Sequence, residues 1–180
     1  MTDSYQRFLA GDESGLAQII CAYEDGLILY LNGYVHDISL AEELTEETFV
    51  KLVLKRPRFS GDSAFKTWLY TIARHVAIDY LRRKKQDVST EDCKELADEQ
   101  ADLERTFLQQ EQKLQLYEAI EQLKPEYRQV LWLYYFADFS HKQIARILGK
   151  STHNVEMLAS RARQALKTIL NKEGFVYEAL

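Results

Sequence analysis

The sequence predicts an all-α protein: two small helical domains joined by a flexible acidic linker, the second carrying a helix-turn-helix. Three observations predict it. Apolar residues recur every three or four positions along almost the whole chain. Only 7 Gly and 2 Pro punctuate 180 residues, too few for a turn-rich β protein. Charge is segregated into blocks. Residues 1–50 hold one basic and ten acidic groups (−9), and residues 51–86 hold ten basic and two acidic (+8). Residues 87–111 hold two basic and nine acidic (−7), and residues 112–180 ten basic and seven acidic (+3). The domains are therefore drawn at 1–86 and 112–180, with 87–111 as the linker, helical towards its end.

The first helix shows Leu16, Ile20, Tyr23, Leu27, Tyr30 and Tyr34 on one face. Asp12 or Ser14 is placed to cap it. Gly26 lies inside it and costs about 1 kcal/mol relative to Ala, which packing must offset. A second helix covers residues 39–54, with Ser39 and Glu42 as a capping box and early carboxylates suited to the helix dipole. Pro57 and Gly61 break the chain in "KRPRFSGDSA". Phe65, Leu69, Ile72, Val76 and Tyr80 then mark a helix ending near Lys85.

Residues 87–102 lack an apolar stripe and read as linker. Leu103, Phe107, Leu114, Tyr117 and Ile120 resume a helical face, and Pro125 suits the first turn of a new helix. Ser140 and Gln143 form a capping box before "HKQIARIL", and Gly149 suits the left-handed residue that ends it. Ser151 or Thr152 caps a last helix striped by Val155, Leu158, Ala162, Leu166 and Ile169. Helix, Gly-containing turn, helix is the helix-turn-helix pattern, although an ordinary helical hairpin shares it.

Three constellations stand out. The pattern "IARILGKS" and the cations Lys150, Arg161 and Arg163 favour a DNA-binding reading of residues 140–163. In residues 55–85 the rings Phe59, Phe65, Trp68 and Tyr70 precede Arg82, Arg83, Lys84 and Lys85. Rings stack on unpaired bases and cations hold the backbone, which suits single-stranded DNA. The same residues also fit a helix whose rings are core and whose cations are a solvated end. Glu42, Glu43, Glu46 and Glu47 make an acidic helix side, either a solvated face or a docking surface for a basic partner.

Other classes find little support. No run of about 18 apolar residues is present, nor a signal-peptide core, so direct membrane insertion is not expected. Cys21 and Cys93 suggest no disulfide scaffold and fit a cytoplasmic location. His36, His75, His141 and His153 are scattered, with no metal-like spacing, phosphate-cradling loop or GxSxG elbow. No metal, cofactor or catalytic residue is expected.

Taken together and in order, "LAEELTEETFVKLV", "FKTWLYTIARHVAIDYLRRKK" and "EYRQVLWLYYFADFSHKQIARILGKS" resemble a bacterial RNA polymerase sigma factor of the extracytoplasmic-function (ECF) group. The resemblance covers residues 5 to 170. It implies a non-catalytic subunit that joins core RNA polymerase, directs it to promoters and opens the −10 element. Glu42, Glu43, Leu44, Glu46, Glu47 and Phe49 would dock on the β′ coiled coil. Arg58, Phe59, Ser60, Asp62, Trp68, Arg74, His75, Asp79, Arg82 and Arg83 would engage −10 DNA, where a base is flipped out of the stack. Lys150, Ser151, Thr152, His153, Asn154, Glu156, Arg161 and Arg163 would meet the −35 element, with the second domain also touching the β flap. An anti-sigma factor is a further implied partner.

The chain departs from the family pattern at His75, where Asn is frequent, and at Glu46, where Gln is common. In the recognition helix Asn154-Val155-Glu156-Met157-Leu158 replaces the usual Thr-Val-Lys-Ser-Arg, which implies either weak −35 recognition or an unusual −35 sequence. Asn154 suits adenine and Glu156 suits cytosine N4. Two rivals make other forecasts. A stand-alone helix-turn-helix regulator would not need residues 39–51. A sigma-like interaction protein would bind polymerase with weakened promoter reading.

Overall fold

The computed structural model describes residues 1–87, 116 and 118–172, and everything described is helix, turn or loop. The predicted linker 87–111 lies almost wholly outside the described residues, as does most of the predicted helix before Ile120. Cys93 lies outside them too.

The first half contains four helices: α1 (Thr2–Leu9), α2 (Ser14–Val35), α3 (Ile38–Lys55) and α4 (Phe65–Asp87). Helix α1 carries too few apolar residues to announce itself. It exists because Tyr5 and Phe8 are buried against the other helices. Neither Asp12 nor Ser14 is the N-cap of α2: Glu13 holds that position without a side-chain cap hydrogen bond, and the Asp12 carboxylate accepts the Ser14 N–H at 3.0 Å just before it. The Ser39–Glu42 capping box does not form. Asp37 is the N-cap of α3, in extended conformation, and its carboxylate accepts the Leu40 N–H at 3.0 Å. Gly26 is explained by α4: a Cβ there would lie 2.7 Å from the Tyr70 hydroxyl.

The second half follows the predicted grammar closely. A helical segment reaches Glu121, and Pro125 opens α5 (Pro125–Leu131). The chain then widens into a π-helical turn, Trp132–Phe136, rather than continuing as α-helix. Helix α6 (His141–Leu148) has the full Ser140–Gln143 capping box and ends at Gly149, whose φ of 63° is left-handed. Ser151 then accepts the Asn154 N–H at 3.2 Å at the start of α7 (Thr152–Lys172).

One hydrophobic core runs through both halves. Leu27, Tyr30, Leu69 and Ala73 join Val130, Leu133, Ile144 and Val155 in a single buried cluster. Helix α6 packs on α4, and α5 on α2. Polar contacts line this seam. Lys66 Nζ donates to the Ala137 carbonyl at 2.6 Å and sits 4.8 Å over the Phe139 ring, a cation–π contact. Arg146 donates to the Asp62 carbonyl. Arg128, buried among the helices, reaches His36 Nε2 at 2.6 Å, and His36 Nδ1 lies 2.8 Å from Glu121.

Candidate nucleic-acid interface

Helix α3 separates its residues by phase. Ala41, Leu44, Thr48, Phe49 and Leu52 face the core, while Glu42, Glu43, Glu46, Val50, Val53 and Leu54 face solvent. Leu44 and Phe49, expected on the docking surface, are 3% and 7% exposed and anchor the helix on its core side. Sequence reasoning missed Val50, Val53 and Leu54, which are exposed apolar residues below the carboxylates, with Leu54 77% exposed. Their spacing from Glu43 and Glu46 was the available signal. Glu47 is half-exposed and pairs with Lys51 at 3.1 Å.

The loop between α3 and α4 starts at Arg56, which is left-handed with φ 41°. Tyr5 Oη donates to the Pro57 carbonyl at 2.7 Å and fixes the loop's first strand of chain. Arg58, Ser60 and Asp62 are exposed at the tip, where Ser60 Oγ donates to the Asp62 carboxylate at 2.6 Å. Below them the rings form one cluster: Phe59 lies 5.2 Å from Trp68, and Tyr5 lies 5.5 Å from Phe65 and 5.2 Å from Trp68. Phe65 and Tyr70 are buried, so they are core. Phe59 and Trp68 are half-buried and keep an accessible part.

Along α4 the predicted residues divide. His75 is exposed and Asp79 half-exposed. Arg74 turns inward. Its cation lies beside the Tyr34 hydroxyl, whose pKa is raised by burial and held back by Tyr30 and by Arg74. Arg74 Nε is buried without a hydrogen-bond partner among the described residues. In this arrangement Arg74 is half-buried and its cation props the tyrosines.

The cation run is not sequestered. Arg82 lies 3.4 Å from Asp79 and Arg83 3.9 Å from Glu47, with side chains 73% and 61% exposed. Exposed pairs of this kind contribute roughly 0–1 kcal/mol, so both guanidinium groups can exchange partners readily. Lys84 and Lys85 are exposed and have no ion pair among the described residues.

In the helix-turn-helix, Val155, Ala159 and Ala162 anchor α7. Ser151, Thr152, His153, Asn154, Glu156, Arg161 and Arg163 are exposed, and Met157 joins them. Lys150 is half-buried and pairs with Glu126 at 3.1 Å. The amino-terminal turn of α7 is therefore open to a groove, with no cation on it before Arg161.

Comparison with known proteins decides the family. The family description "Sigma-70 region 2" matches residues 19–86, and "Sigma-70, region 4" matches residues 113–166. The chain is 34% identical to RNA polymerase sigma factor YlaC of Bacillus subtilis over 157 residues, covering 83% of this chain and 88% of that protein. It is 30% identical to ECF RNA polymerase sigma factor SigM of the same organism, covering 86% and 94%. The chain belongs to the ECF group of RNA polymerase sigma factors. As such it binds RNA polymerase and directs it to promoters. Its fold is similar to the sigma factor RpoE crystallised with the anti-sigma factor NepR from Bartonella quintana, with a TM-score of 0.68 and 25% identity over 86% of this chain and 96% of that one. Because both sigma regions are matched, a stand-alone helix-turn-helix regulator is not favoured. Among the described residues no helix is long and apolar enough to cross a membrane.

Proposed function

We propose that this sigma factor engages its partners through three separate surfaces. The solvent face of α3 docks on the β′ coiled coil. Glu42, Glu43, Glu46 and Glu47 meet basic residues there, and Val50, Val53 and Leu54 supply the apolar contact. Arg58, Phe59, Ser60, Asp62, Trp68, His75, Asp79, Arg82 and Arg83 engage the −10 element. Phe59 and Trp68 offer ring edges to an extruded base, and the arginines neutralise phosphates. The exposed turn of α7 meets the −35 element, with Lys150, Arg161 and Arg163 on phosphates and Asn154 on a base edge. The β flap and an anti-sigma factor complete the partners. The latter rests on the likeness to RpoE, which was crystallised with such a factor.

One observation carries this reading: the +8 block ends in a run of exposed, weakly paired cations directly beyond a loop and ring cluster. The test is run-off transcription by core RNA polymerase plus the pure protein on a promoter library. Charge reversal at Glu43 and Glu47 should reduce retention on polymerase. Arg82→Ala/Arg83→Ala should abolish promoter opening while retention persists. Promoter opening that is indifferent to those alanines at every salt concentration would refute the −10 assignment.

A further inference from the structure

Helix α7 is held on the fold by Val155, Ala159 and Ala162, which are buried. Each residue of an α-helix turns the chain by about 100°, so Met157 lies about 160° round the helix from Val155 and Ala159 and about 140° from Ala162. Within the first two turns its direction is the one most nearly opposite the core. Helical side chains lean toward the amino terminus, so Met157 covers the turn that carries His153 and Asn154. That turn is the part of a helix-turn-helix that meets base edges in the major groove.

Met157 is 41% exposed, whereas Leu158 beside it packs on the main core. The exposed side chains around Met157 are all polar: His153, Asn154, Glu156, Ser160 and Arg161. A single exposed apolar residue is ordinary on a protein surface and implies nothing by itself. Here it occupies the middle of the face assigned to DNA, ringed by groups able to pair with bases. No Lys or Arg stands on α7 before Arg161, so these two turns gain little from phosphates and depend on base-edge contacts.

A thioether has no hydrogen to donate and accepts only weakly. Pressed against the N7, O6, N6 or N4 atoms of a major-groove edge, it would displace water and leave those groups unpaired, which costs free energy. One group on that edge is apolar, the 5-methyl of thymine. The unbranched, polarizable methionine side chain can adapt to it.

We propose that Met157 is a specificity-determining residue of the −35 surface and reads the 5-methyl group of a thymine in duplex DNA. This deepens the −35 assignment made above and rests on it. It supplies a discrimination that hydrogen bonding by Asn154 and Glu156 does not. His153 and Arg161 stand four residues to either side, a rise of about 6 Å, so the thymine lies within about two base pairs of whatever they contact.

The test uses holoenzyme reconstituted from core RNA polymerase and the full chain. Bound promoters are selected from a duplex library randomised across the −35 region, and the selected duplex is rebuilt with deoxyuridine replacing each thymine in turn. That change removes only the methyl group. Affinity should fall about fourfold at one thymine, the loss of one buried methyl contact. Met157→Ser, at an exposed position, should bind the thymine and uracil duplexes equally, and Met157→Leu should keep the preference. A selected element without thymine, uracil duplexes all bound as tightly as the parent duplex, a Met157→Ser protein that still prefers thymine, or a Met157→Leu protein that does not would each overturn the role of Met157. A selection that returns no preference, with Asn154→Ala and Arg161→Ala binding like the parent, would overturn the −35 assignment itself.

Discussion

Replacing both Arg82 and Arg83 with alanine separates a structural role for these cations from a DNA-binding one. Among the described residues each makes a single long ion pair, at 3.4 Å to Asp79 and 3.9 Å to Glu47, with most of its side chain in water. Losing such pairs costs roughly 0–1 kcal/mol each, so the urea midpoint should move little. On single-stranded promoter DNA the loss of two phosphate contacts should reduce the slope of log affinity against log salt by about 1.4, and on duplex DNA by about 1.8. Between about 50 and 200 mM salt the parent holoenzyme should then lose roughly seven- to twelvefold more affinity than the variant. The assay is fluorescence anisotropy of a labelled fork-junction promoter probe with reconstituted holoenzyme at five salt concentrations, with retention on core polymerase as the control. Equal slopes would refute the reasoning. So would a stability loss above about 3 kcal/mol, which would mark the arginines as structural.

Leu54→Lys should leave thermal stability within about 0.5 kcal/mol of the parent, since the side chain is 77% exposed, yet weaken polymerase retention at least tenfold on the order of a lost interface anchor. Gly26→Ala gains about 1 kcal/mol of helix propensity but loses roughly 1–3 kcal/mol to the clash with Tyr70, so urea denaturation should show net destabilisation. Adding Tyr70→Phe should convert that loss into a gain. Ser140→Ala should remove about 1 kcal/mol by breaking the capping box of α6, read as a shifted denaturation midpoint. Burial pushes the Tyr70 hydroxyl up to about 12 from its ordinary 10, so the unfolded chain loses that proton first and stability should fall as pH rises from 10 towards 12. Tyr70→Phe should blunt that fall in a pH series of denaturation curves.

Signals confined to a few neighbouring residues were legible. Pro125, the Ser140–Gln143 pair and Gly149 each act within one turn, and each occupies its expected position. Helix α1 was not legible because its stability comes from Tyr5 and Phe8 packing on distant helices. The start of α3 was misread because Asp37 and Ser39 are both competent caps, and the extended backbone at Asp37 decides between them. Family resemblance named Leu44 and Phe49 by residue type, whereas the helical phase shared with Thr48 and Leu52 buries them. The inward turn of Arg74 depends on tyrosines forty residues earlier, and the His36–Arg128 contact on a partner 92 residues away. Neither leaves a periodic trace in the chain.

The bond from Tyr5 to the Pro57 carbonyl makes α1 a keel for the loop between α3 and α4, the proposed −10 contact. Its ring also packs at a tilt against Phe65 and Trp68, so α1 sets the height of the rings that would receive a flipped base. Truncating the first ten residues, or fusing a bulky tag that strains them, would leave the helix-turn-helix intact while tilting the loop off its footing. Preparations that differ only in that short extension would then disagree about promoter melting and agree about −35 binding.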